Sequence, residues 1–152
     1  MKYDKIQNYF EQGEAGVTSL LKDCEDVFTT IDNYKQQFMA NQFSTPDEYK
    51  EALNVLTGLY IFLEPIFNLA QAYKEIKEDE AYSNLRTEAE ISGKKITADA
   101  LKVEAHRAVS LWIRTRNIFE SYVNATEKSI ITVQSQLNRF EKNYNYKPQE
   151  QQ

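Results

Sequence analysis

The chain is poor in the residues that build turns, cross-links and metal centres. Four glycines and three prolines in 152 residues leave too little turn material for a β-sandwich or barrel, where turns recur every ~10 residues. The single cysteine, Cys24, excludes an intramolecular disulfide and a cysteine-based zinc centre, and fits a reducing compartment. The single histidine, His106, has no Cys or Asp at ligand spacing, so it builds neither a zinc site nor a catalytic triad. The carboxylates of "DCED" (23–26) and "EDE" (78–80) lack the Glu-x-x-His companion of a di-iron bundle. Long hydrophobic runs are missing too. The longest, "LYIFLEPIF", is broken by Glu64 and Pro65 and falls short of the ~20 residues of a membrane span. The opening "MKYDKIQNYFEQ" has no apolar stretch of the signal-peptide kind. From these absences we expect no enzymatic activity, cofactor, metal, small-molecule substrate or membrane association, and a cytoplasmic location.

What is present points to helices. Apolar residues make up 41% and charged residues 27% of the chain, enough for a folded core and too apolar for wholesale disorder. A short amphipathic piece, 3–12, carries Ile6, Tyr9 and Phe10 and is interrupted by Gly13 and Gly16. From Val17 to Asn41 the apolar positions Val17, Leu21, Cys24, Phe28, Ile31 and Phe38 step by four and three, skipping only Lys35, a heptad-like stripe for lengthwise packing. "STPDEY" then reads as a helix start. Thr45 caps, Pro46 takes the first helical position and Glu48 closes a capping box. The stripe Tyr49, Leu53, Leu56, Tyr60, Leu63, Phe67, Ala70 follows, weakened at Gly58 and expected to kink at Pro65. This helix is predicted to run over 45–90.

"ISGKKITADALK" (91–102) joins that helix to the next. It holds Gly, Lys and a hydroxyl residue, but a phosphate loop needs G-x-x-x-x-G-K-[ST] after a strand. The better reading is a hairpin corner, with Gly93 as C-cap, Thr97 as N-cap and Lys94 and Lys95 at a helix C-terminus. One long helix is predicted over 97–143, followed by a flexible tail, 144–152. Its stripe is Leu101, Ala105, Ala108, Trp112, Phe119, Tyr122, Ile130, Val133, Leu137 and Phe140, with Thr115 and Thr126 between and a one-residue slip before Ile130. Such a helix must run antiparallel to its predecessor, meet other subunits, or both. Trp112, Phe119, Tyr122, Ile130, Val133 and Leu137 are accordingly candidates for partner or self-association. The expected fold is all-α: an elongated antiparallel helical hairpin with additional N-terminal helices over 3–41, bundle or coiled-coil-like, in a single domain.

Charge separates one segment from the rest. The chain carries 18 basic and 23 acidic residues, a net −5, which argues against a dedicated duplex-DNA binder. Between 94 and 116, however, Lys94, Lys95, Lys102, Arg107, Arg114 and Arg116 outnumber Asp99 and Glu104. Such a stripe can follow a sugar–phosphate backbone. The simpler reading is a solvated face that pairs with the acidic "EIKEDE" (75–80) of the facing helix.

The layout of "KKITADALKVEAHRAVSLWIRTRNIFESYVNATEKSIITVQSQLNRF" resembles phage recombination mediators of the UvsY type. There a polar helix ends, a Lys/Thr turn follows, and a long amphipathic helix begins with basic residues. The resemblance implies an oligomeric, non-enzymatic accessory protein that binds single-stranded DNA and a recombination partner in the host cytoplasm. Lys94, Lys95, Lys102, Arg107 and Arg114 would face the DNA. A second expectation, of a different class, is a protein-binding helical adaptor or virion-assembly component without a nucleic-acid role.

Overall fold

In a computed structural model of the chain, residues 3–145 are described. The fold is all-α: helix packs on helix, and no strand occurs among the described residues. The helices are α1 (Tyr3–Glu11), α2 (Gly13–Asp23), α3 (Glu25–Met39), α4 (Pro46–Ile91), α5 (Ala98–Ala108) and α6 (Ser110–Asn145). The predicted tail at 144–152 begins inside α6, and 146–152 lie outside the described residues.

The start of α4 follows its sequence signal closely. The Glu48 carboxylate accepts from the backbone N–H of Ser44 (2.8 Å) and Thr45 (2.9 Å), while Thr45 Oγ1 accepts from Glu48 N (3.3 Å). These hydrogen bonds hold the Glu48 carboxyl below the ordinary carboxylate range, the Ser44 N–H contributing most. The helix then runs unbroken through Pro65 to Ile91. Its length and composition are those of a membrane-crossing helix, with an 18-residue window of mean hydropathy 1.4. The expected shortfall from a membrane span, judged on the run that Glu64 and Pro65 break, does not hold for the window as a whole. Within the protein, α4 uses Ala52, Leu56, Leu63, Ile66 and Ala70 as core residues.

Two predicted helices are each divided in two. The 17–41 segment separates into α2 and α3 at Cys24, which is buried and whose carbonyl still accepts from Phe28 N (3.0 Å). The 97–143 helix separates into α5 and α6 at Val109 (φ −105°, ψ 23°), with hydrogen bonds Val109 N→Ala105 O (3.3 Å) and Ile113 N→Val109 O (3.2 Å) on either side. Neither break carries a glycine or proline, so neither had a local sequence signal.

The chain forms two compact units: residues up to Asp23 with Glu64–Ser121, and Cys24–Leu63 with the chain from Tyr122. In the first, rings from three helices meet. Phe10 of α1 stacks on Tyr73 of α4 (5.1 Å between centroids) and on Trp112 of α6 (6.4 Å), and Tyr73 stacks on Trp112 (6.1 Å). In the second, Ala52 and Leu56 of α4 pack with Val133 of α6, surrounded by Tyr34, Phe38, Phe43, Tyr49, Leu53, Ile130 and Leu137. Phe28 of α3 stacks on Tyr122 of α6 at 4.2 Å, and the Tyr122 hydroxyl donates to Asp32 (3.0 Å). Burial and that carboxylate push the Tyr122 phenol up. In each unit α4 and α6 run antiparallel, with Gln71 facing Arg116 in one and Tyr49 facing Phe140 in the other.

The buried residues correct the predicted stripe. Val109 is buried where Ala108 was expected, and Val123 and Ser129 are buried beside the half-buried Tyr122 and Ile130. The expected slip disappears once polar residues are admitted to the core. Thr115, Thr126 and Ser129 each donate to the carbonyl four residues back (Leu111 2.9 Å, Tyr122 2.7 Å, Ala125 2.9 Å). A hydroxyl bonded in this way can be buried at little cost.

Gly58 is exposed within α4, and a Cβ placed on it would meet nothing within 4 Å. Gly58→Ala should therefore stabilise the protein by about 0.5–1 kcal/mol through helix propensity and the unfolded chain. A shift of the chemical-denaturation midpoint to higher denaturant measures this.

Candidate functional site

The corner between α4 and α5 is built as the sequence indicates. Gly93 takes φ 65°, its N–H reaches Glu90 O (3.3 Å), and Lys94 N reaches Ala89 O (3.0 Å). This pair of bonds closes the end of α4, and the left-handed backbone favours glycine. Thr97 then caps α5, its Oγ1 accepting from Ala100 N at 3.2 Å. All residues from 91 to 100 are exposed.

Two adjoining grooves flank this corner. One, of about 460 Å³, is lined by Tyr82, Arg86, Ala89, Glu90, Lys94, Lys95, Ile96, Ala98 and Leu101. The other, of about 500 Å³, is lined by Glu78, Asp79, Tyr82, Lys102, Ala105 and His106. Tyr82 belongs to both. Sequence reasoning missed Tyr82 and Arg86, although their positions just before the hairpin corner on α4 set them opposite the start of α5.

The acidic residues of these grooves are largely engaged. Glu90 accepts from Arg86 Nε (3.0 Å). Glu78 pairs with Lys74 (2.5 Å) and with His106 Nδ1 (2.9 Å). Burial pushes the Glu78 carboxyl up, but its hydrogen bonds to Lys74 and His106 outweigh this and hold it below the ordinary carboxylate range. Of the expected pairing of the basic segment with "EIKEDE", only the His106–Glu78 contact forms among the described residues; none of the six cations pairs there, and Lys102 lies beside Glu78 and Asp79 in the same groove. Arg107 instead pairs along its own helix with Glu104 (2.8 Å). Lys94, Lys95, Lys102 and Arg114 are exposed and make no ion pair within 4.0 Å among the described residues.

Arg116 departs from the group it was assigned to. Its side chain is only 25% exposed, it donates to Gln71 Oε1 (2.6 Å) and Asn117 Oδ1 (3.2 Å), it pairs with Glu120, and it lies over the Phe67 ring at 5.4 Å. It ties α6 to α4 within one unit. The association stripe is likewise occupied from within. Trp112 (5% exposed), Phe119 and Val133 are buried, Ile130 and Leu137 are half-buried against the second unit's core, and Tyr122 is half-buried against Phe28. The reason is that α1, α3 and α4 supply apolar faces that cover α6.

No group of three or more His, Cys, Asp or Glu suited to a metal ion occurs among the described residues. No protein-family model, curated protein or solved structure matches the chain.

Proposed function

We propose that the protein is a non-enzymatic accessory factor that binds single-stranded DNA at the α4–α5 corner, in the manner the UvsY-type resemblance implies. One observation carries this reading: Tyr82 lines both corner grooves, among Arg86, Lys94, Lys95 and Lys102. Single-strand binders combine cations that track the backbone with aromatic faces on which bases stack. Tyr82 takes the stacking role that burial denies to Trp112. Arg107 and Arg114 line a separate groove at the α5–α6 junction, and with Arg116 they are left out of this path. Self-association into a homo-oligomer would draw on exposed apolar residues such as Ile61 and Ile131, since the α6 stripe is used internally.

Anisotropy of a fluorescein-labelled oligo-dT tests the assignment. We expect binding at low salt whose log affinity falls linearly with log salt, by about 0.7 per phosphate neutralised. Lys94→Ala with Lys95→Ala should flatten that slope, and Tyr82→Ala should weaken binding about tenfold, a stacking contribution of ~1–3 kcal/mol. Absence of binding at low salt removes the DNA reading and leaves the protein-binding adaptor in its place.

A further inference from the structure

The α5–α6 junction carries a groove of different chemistry from the corner. It is shallow and open, about 490 Å³ in volume, and is lined by His106, Arg107, Ser110, Ile113, Arg114, Asn117 and Ile118. Ile113 and Ile118 are half-buried, while Arg107 and Arg114 are exposed at its edges. Val103, 51% exposed, lies one turn before His106 and Arg107 and lengthens the apolar strip.

We infer that this groove is the docking site of an acidic amphipathic helix from a partner protein. Charge and surface type both select that occupant. An apolar helix face laid in a groove gains from burying its anchors at i, i+3/i+4 and i+7, and the isoleucine floor accepts such anchors. The two guanidiniums stand on either side of the α5–α6 break at Val109, at the edges of the groove. Guanidinium–carboxylate pairs can be bidentate, so carboxylates on a docked helix have two cations to meet. Arg107 gives up little to join them, because its pairing with Glu104 is solvent-exposed. Single-stranded DNA suits this surface less well, since no Phe, Tyr or Trp lines it and its one imidazole, His106, is paired with Glu78. An anionic membrane suits it poorly as well, because its two guanidiniums fall short of the roughly 4–8 clustered basic residues of a lipid-binding surface. The inference stands independently of DNA binding at the corner.

The test uses the full chain and a fluorescent synthetic helix with leucines on one face and glutamates beside them. Anisotropy should show binding, and amide shifts in a nitrogen-15 spectrum should centre on Arg107–Ile118. Arg107→Ala with Arg114→Ala should weaken binding at least tenfold, Lys128→Ala should leave it unchanged, and the same peptide with lysines for glutamates should bind at least tenfold more weakly. Three results would each overturn the inference. They are unaltered binding by the double arginine variant, equal binding of the lysine peptide, and displacement of the peptide from this groove by oligo-dT or by phosphatidylcholine–phosphatidylserine vesicles. Failure of oligo-dT to bind anywhere bears only on the corner.

Discussion

Gly16→Ala is expected to lower stability by ~3 kcal/mol, an overpacking cost at the upper end of its usual range. Gly16 is buried in α2, and a Cβ built on it would lie 2.0 Å from the Tyr9 carbonyl oxygen, 2.7 Å from Gln12 Cβ and 2.9 Å from the Tyr9 carbonyl carbon. Two of these neighbours are backbone atoms, so no side-chain rotation relieves the clash. The first turn of α2 would have to move away from α1. That displacement would disturb the placement of Phe10, which α1 delivers against Tyr73 and Trp112. At about 2–4 °C per kcal/mol for a chain of this size, the melting transition should fall by roughly 6–12 °C. Circular dichroism at 222 nm follows it. Gly58→Ala serves as the paired control, since it adds the same methyl to a helical glycine with open space around it and should move stability the other way. A Gly16→Ala protein that melts with the wild type would show that α1 does not pack this closely on α2.

The difference between these two glycines shows how far the sequence can be read. Both look like weak points in a helix, and local propensity treats them alike. Only the neighbouring chain distinguishes them, because a Cβ clash belongs to the packing of α1 on α2. Where a signal is local, the sequence was sufficient. The capping box at Thr45–Glu48, the stop at Gly93 and the start at Thr97 each rest on residues within five positions of one another. Where the cause is tertiary, it was not. Nothing near Cys24 or Val109 announces a break. Ser129 enters the core because its hydroxyl bonds to its own helix, as those of Thr115 and Thr126 on the predicted stripe do, and an apolar stripe overlooks it. The site divides in the same way. The charge excess between 94 and 116 was legible as composition, yet the separation of Arg116 from the exposed cations depends on Gln71, forty-five residues away. Tyr82 becomes a candidate only when α4 and α5 are placed face to face.

Trp112→Ala should cost about 3–5 kcal/mol, as large-to-small truncation of a buried aromatic does. The ring is 5% exposed and stacks on Phe10 and Tyr73, while Lys77 Nζ lies over its face at 5.9 Å. Stacked pairs add ~0.5–1.5 kcal/mol beyond the area they bury, and an exposed or half-exposed cation over indole adds ~0.5–1 kcal/mol. Removing the ring also leaves Phe10 and Tyr73 facing a void that α1 and α4 can close only by moving together. Because Trp112 is the sole tryptophan, its fluorescence disappears with it, so urea unfolding must be followed by circular dichroism. Trp112→Phe keeps one ring between Phe10 and Tyr73 and should recover more than half of the loss. The double variant Phe10→Ala with Trp112→Ala should lose less than the sum of the single variants, because the two rings share one contact. A Trp112→Ala protein with an unchanged midpoint would place the ring in solvent. Trp112, rather than Tyr82, would then be the aromatic available to a nucleic-acid base.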